Sequence, residues 1–159
     1  MKVRSFRKNQ GFTLIELMIV IVIVGILLAI LLGRLGLIMD RAREKTTHKN
    51  LKNIKLAIDA TCEQSDGGYD YPADGAGFKA KLEERFGVEK IPRAVLRIGV
   101  NTHPSNDCFV ANAVTDIPVP GPPGGGWVLI IAGEDRGRVC INSNELDTNG
   151  NPYSSYICD

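Results

Sequence analysis

The sequence predicts an α+β fold, a lollipop in which a long N-terminal helix, membrane half plus amphipathic half, packs on a small antiparallel sheet. Three observations carry this expectation. Leu17 to Leu32 is a run of sixteen residues without a charge or a strongly polar group. Beyond it, Leu51, Ile54, Ile58 and Cys62 recur at steps of three and four, the spacing of one buried helical stripe. After about residue 93 the pattern changes to short runs rich in Val, Ile and Ala bounded by Gly, Pro and Asn, which read as strands.

The elements follow in chain order. Met1–Gln10 carries Lys2, Arg4, Arg7 and Lys8 and no acid. That fits the basic start of a secretory signal, but the apolar stretch exceeds the 7–15 residues of such signals and no A-x-A pattern follows it. A stretch of ~20 apolar residues suffices to span a bilayer, so a plain single-pass anchor is the simpler alternative. The basic leader then stays cytoplasmic, and residues from about Arg41 onward face the periplasm or the cell exterior. An anchor does not account for Glu16, whose charge costs roughly 2.5–3.5 kcal/mol near a bilayer centre.

From Phe12 to Cys62 a continuous helix is ~75 Å long at 1.5 Å per residue. That exceeds any bilayer, so its second half must pack on the remaining residues. Ser65-Asp66-Gly67-Gly68 stops it. Tyr69–Asp74 reads as a loop, and Phe78, Leu82 and Phe86 as one face of a short helix ended by Gly87. Strand signals cover Ala94–Val100, Cys108–Val114, Gly126–Ala132 and Arg138–Asn142. Gly133–Gly137 has the length of a hairpin loop with Gly at both ends. Ile117–Gly126 contains four Pro and four Gly, so it crosses the surface irregularly. Three or four antiparallel strands need the helix to cover one face.

Charge and cysteines narrow the function. The formal balance of the whole chain is +1. Without the four leader cations, 15 Lys and Arg face 18 Asp and Glu, a balance of −3. No nucleic-acid partner is expected from that. A basic patch from Arg34 to Lys55 reads as a solvated or subunit-facing helix surface. Cys62, Cys108, Cys140 and Cys158 lie outside the apolar run, and an even count in a small exported head reads as two disulfides with three possible connectivities. No C-x-x-C pair supports zinc, and His103 five residues before Cys108 is weak evidence. Trp127 is most simply a core aromatic. No nucleophile elbow, phosphate loop or H-E-x-x-H is present, so catalysis is not expected.

Gly11-Phe12-Thr13-Leu14-Ile15-Glu16-Leu17-Met18 and the apolar run behind it, with Gly25 inside, resemble the N-terminal signature of type IV pilins and type II secretion pseudopilins. The resemblance implies removal of residues 1–11 by a membrane prepilin peptidase and methylation of the new amine of Phe12. Gly11 and Phe12 are then the processing site, and Phe12 and Glu16 the assembly pair, each Glu16 meeting the amine of a neighbouring subunit. Residues 12–39 become the transmembrane and filament-core helix, and residues 40–159 the head with the second half of the helix. Many members carry Pro at the position of Gly33; Gly33 and Gly36 can loosen the helix there. The preferred disulfides are Cys140–Cys158, closing a loop near the C-terminus as in many type IV pilins, and Cys62–Cys108, tying the end of the helix to the sheet.

Gly125-Gly126-Trp127-Val128 and Arg138-Val139-Cys140-Ile141-Asn142 also resemble strands of pseudopilin heads. Because major pseudopilins bind calcium in a C-terminal loop, Asp147, Asn149 and Asn151 form a candidate calcium site; an ordinary turn is the other reading. The implied partners are further copies, related pilin-like subunits, the peptidase, an inner-membrane assembly platform and, before assembly, the membrane. The expected function is a structural filament subunit, leaning to a pseudopilin of type II secretion. The alternative is a type IV pilin of a surface fibre, and in another class a membrane-anchored adhesive or ligand-binding module.

Overall fold

The computed structural model describes residues 11–62, 64–65, 68–96, 105–117 and 125–158, and of residues 64, 65 and 158 the backbone alone. The leader Met1–Gln10, the end of the expected strand Ala94–Val100, His103 and most of the Pro/Gly segment lie outside the described residues.

Helix α1 runs from Leu14 to Thr61, and its last residue is one short of the end the sequence predicts. The chain divides into two units, Met1–Gly36 and Leu37–Asp159. In the first, every described residue is exposed. By length and composition the helix is able to cross a membrane, and its helical assignment continues through Gly33 and Gly36.

In the second unit, α1 buries Glu44, Thr47, Leu51, Ile54, Ala57 and Ile58. The buried stripe therefore starts two turns earlier than the apolar pattern indicates, with two polar residues. Helix α2, Gly75–Phe86, begins where the Asp74 carboxylate accepts the Gly77 N–H at 2.7 Å and ends at Gly87. Its Phe78 and Leu82 enter the same core as Leu51, Ile54, Ile58 and Trp127. A Cβ on Gly75 would lie 2.3 Å from the Cys108 carbonyl oxygen, so the start of α2 rests directly on strand backbone.

Two short strands, β1 (Gln64–Ser65) and β2 (Gly68–Tyr69), pair antiparallel after α1. The main sheet comprises β3 (Cys108–Ala111), β4 (Trp127–Ile130), β5 (Val139–Ile141) and β6 (Ile157–Cys158), in that spatial order. β4, β5 and β6 are antiparallel neighbours, but β3 runs parallel to β4 with Cys108 opposite Trp127. The sheet is therefore mixed, not wholly antiparallel as expected. Residues 112–126 supply the crossover of a dozen or more residues that parallel neighbours need. Of the expected first strand, Ala94 makes an isolated bridge to Ser105.

The sheet is covered on both faces. Trp127, Leu129, Val139 and Ile141 join the core beneath α1 and α2, while Val128, Ile130 and Cys140 pack with Ala111, Ile117 and Phe109. This is why β4 and β5 are apolar at every position rather than alternating. The β4–β5 loop turns through Gly137 at φ 90, where a Cβ would meet the Tyr71 ring at 2.6 Å.

Candidate functional site

The Gly11–Phe12 peptide lies in irregular backbone just before the first turn of α1, with Phe12 86% exposed. Thr13 caps the helix. Its N–H and its hydroxyl each donate to Glu16 Oε2 at 2.8 Å, and its Oγ1 accepts the Glu16 N–H at 3.3 Å. Thr-x-x-Glu is a capping box, satisfying backbone donors at both positions. It also sets the carboxylate against the positive end of the helix dipole.

The resemblance gives Glu16 a partner only in a neighbouring subunit, the amine of Phe12. In the isolated chain it is instead held by the helix start. The signal was available in the sequence, since S/T-x-x-D/E ahead of an apolar run marks a helix N-terminus. Behind Glu16, the side chains from Leu17 to Met39 are all exposed, a surface far larger than the few hundred Å² usual for isolated soluble proteins.

The head is tied to α1 by buried polar contacts. Glu44, 5% exposed, accepts from the Thr148 N–H at 2.7 Å, the Thr148 hydroxyl at 2.6 Å and the Tyr153 hydroxyl at 3.0 Å. Thr47 both donates to the Val95 carbonyl at 2.7 Å and accepts the Val95 N–H at 2.9 Å. Tyr156 stacks on His48, ring centroids 4.1 Å apart. Trp127 is fully buried and donates its indole N–H to the Pro92 carbonyl at 2.7 Å, so it is a core residue.

Asp147 is buried and occupied. Its Oδ1 accepts the N–H groups of Asn149 and Asn151 at 2.7 and 2.8 Å, and its Oδ2 accepts the Tyr156 hydroxyl at 2.7 Å. Burial alone would raise its pKa, but the Asn151 N–H, the Tyr156 hydroxyl and the Asn149 N–H outweigh that and hold it at about 2. Calcium needs six to eight oxygens, whereas here both oxygens of Asp147, and both of Glu44 beside the loop, already accept from protein donors. Among the described residues no group of three or more His, Cys, Asp and Glu is placed to hold a metal ion. Asp147, Asn149 and Asn151 therefore form a self-satisfied turn and do not fit a calcium cage.

Cys62 and Cys108 are free thiols, so the expected bridge between them is not formed in the structure. They sit by opposite flanks of α2. Lys81 reaches the Thr61 carbonyl beside Cys62 at 3.0 Å, whereas Lys79 and Glu83, on the other side of the Phe78–Leu82 stripe, act on Cys108. Burial pushes the Cys108 thiol up to about 12 and raises that of Cys62 as well. Cys140 and Cys158 lie on neighbouring strands, Cys140 opposite Ile157 and Val139 opposite Cys158. The side chain of Cys158 is outside the described residues.

Residues 6–32 match the prokaryotic N-terminal methylation motif. Over 121 residues the chain is 35% identical to the type IV major pilin protein PilA of Myxococcus xanthus, covering 76% of this chain and 49% of that protein. Over 81 residues it is 32% identical to the type II secretion system core protein G of Pseudomonas aeruginosa, covering 51% of this chain and 55% of that one. The chain thus spans about half the length of these curated relatives. No solved structure matches it. The chain carries the prepilin-type N-terminal motif, and its homologues are a type IV pilin and a type II secretion core protein.

Proposed function

We propose that this chain is a structural, non-catalytic subunit of a type IV pilus-like filament. Prepilin peptidase removes residues 1–11 and the Phe12 amine is methylated. Before cleavage the chain spans the inner membrane with its leader cytoplasmic; the processed subunit waits there until an assembly platform moves it into a periplasmic or cell-surface filament of like subunits. The observation that carries this reading is an uncovered apolar helix headed by a single carboxylate, Glu16. Burying those helices against one another removes apolar surface from its solvent, and the Phe12 amine of one subunit offsets the charge of Glu16 in the next. Glu16→Val is expected to leave processing intact while filament yield falls at least tenfold. Wild-type filament yield from that variant would contradict the mechanism.

Between the two machines, the longer similarity to a type IV major pilin favours a surface fibre used in adhesion, motility or DNA uptake. The sequence reading leaned the other way, toward type II secretion, partly on the Asp147 loop, and that support is lost with the calcium cage. Abundant fibres on intact cells are expected. Loss of enzyme secretion on deletion, without loss of any fibre, would return the assignment to the secretion system.

A further inference from the structure

The face of α1 opposite its buried stripe is left uncovered. Arg41, Lys45, Lys49, Lys52 and Leu56 follow at steps of four, four, three and four, and all are exposed, Leu56 to 68%. At 3.6 residues per turn they fall within roughly 80° of arc and extend about 22 Å along the axis. Among the described residues these four cations form no ion pair or hydrogen bond. Like charges at i and i+4 repel and weaken a helix, so the stripe favours an acidic partner running along it.

The rest of the chain carries a net charge of the opposite sign. Residues 37–56 hold six Lys and Arg against two Asp and Glu, a balance of +4. Residues 57–159 hold eight against fifteen, a balance of −7. Asp70, Glu89, Asp116, Glu134 and Glu145 are exposed and enter no ion pair among the described residues.

We propose that this stripe is the docking surface for the acidic head of a second copy of the chain, laid lengthwise along α1; the proposal rests on the filament reading above. A lipid surface is the poorer match. Its field decays within a Debye length of about 8 Å at physiological salt, so a helix rising out of it offers one end of a 22 Å stripe rather than its length. A nucleic acid would meet the repulsion of a mature chain with a net charge of −3.

Filaments assembled from a mixture of isotopically light and heavy full-length chains, treated with a zero-length amine–carboxylate cross-linker, test this. Expected are mixed-isotope peptides joining Lys45, Lys49 or Lys52 to a head carboxylate. Lys45→Glu with Lys49→Glu is expected to cut filament yield at least tenfold with unchanged membrane levels of the subunit, and Lys at the cross-linked carboxylate to restore it. Cross-links from these lysines confined to their own chain or to lipid carboxylates, or a charge-reversed variant with wild-type yield, would overturn the proposal. Glu16→Val separates the two readings. If it abolishes filaments while the charge-reversed variant assembles normally, only the docking surface is wrong; if wild type forms no filaments, both are.

Discussion

At the scale of single residues, the carboxylates do distinct work. Glu16 closes a capping box with Thr13, so the charge at the head of the apolar run is held before any partner arrives. Glu44 and Asp147 are buried in the head and hold the C-terminal loop through neutral donors. Asp147→Ala leaves two N–H groups and a tyrosine hydroxyl without their acceptor, which is expected to cost about 3 kcal/mol in denaturant unfolding. The pH dependence has a definite sign. The folded pKa of about 2 lies below the ordinary value of 3.8, so the unfolded chain takes up the proton first. The contribution of Asp147 is then complete above pH 4 and is lost as pH falls toward 2. The stability gap between wild type and Asp147→Asn should shrink across that interval; a gap independent of pH would assign the turn's stability to other contacts. Burial similarly predicts that Cys108 reacts slowly with alkylating reagents at neutral pH unless the head is unfolded.

At the scale of elements, both helices were legible because their limits are set by local chemistry. The sequence signal Ser65-Asp66-Gly67-Gly68 lies just past the end of α1 at Thr61, and Asp74 and Gly87 bound α2. β4 and β5 were legible as apolar runs between glycines. Less legible was anything depending on where the chain returns. The parallel β3–β4 pair depends on the path of residues 112–126, and β6 is two residues long, too short for a periodic signal. The early start of the buried stripe was hidden because Glu44 and Thr47 are polar, and their burial is explained by partners some fifty to a hundred residues away. The Asp147 loop left two readings open for a related reason: turn residues and calcium ligands share a composition, and only the direction of the oxygens separates them. Two element-scale expectations follow. Gly75→Ala pushes a Cβ into the Cys108 carbonyl and should destabilise the head by about 1–3 kcal/mol in denaturant unfolding. With Cys62 and Cys108 as thiols, the native head should be lighter than its reduced form by one pair of hydrogens, from a Cys140–Cys158 bridge; two pairs would mean that α2 moves to let the other bridge close.

At the scale of the whole molecule, each unit presents a surface that its own chain does not complete. Met1–Gly36 offers an apolar helix with nothing over it, and Leu37–Asp159 offers a basic stripe on one helix face with an acidic excess elsewhere. The proposed polymerisation of like subunits would cover both. The motif that the proposed function rests on was legible from some twenty residues at the N-terminus, because it is a local sequence signal. The choice of machine was not, because it depends on surface loops whose chemistry resembles that of ordinary turns. The central claim is that the chain is processed at Gly11–Phe12 and assembled through the helix this exposes. Intact-mass and N-terminal peptide measurement on filaments sheared from native cells tests it most directly. The expected species begins at Phe12 and carries one methyl group on its amine; filaments lacking this chain, or containing it with Met1 or another residue at its start, would contradict the claim.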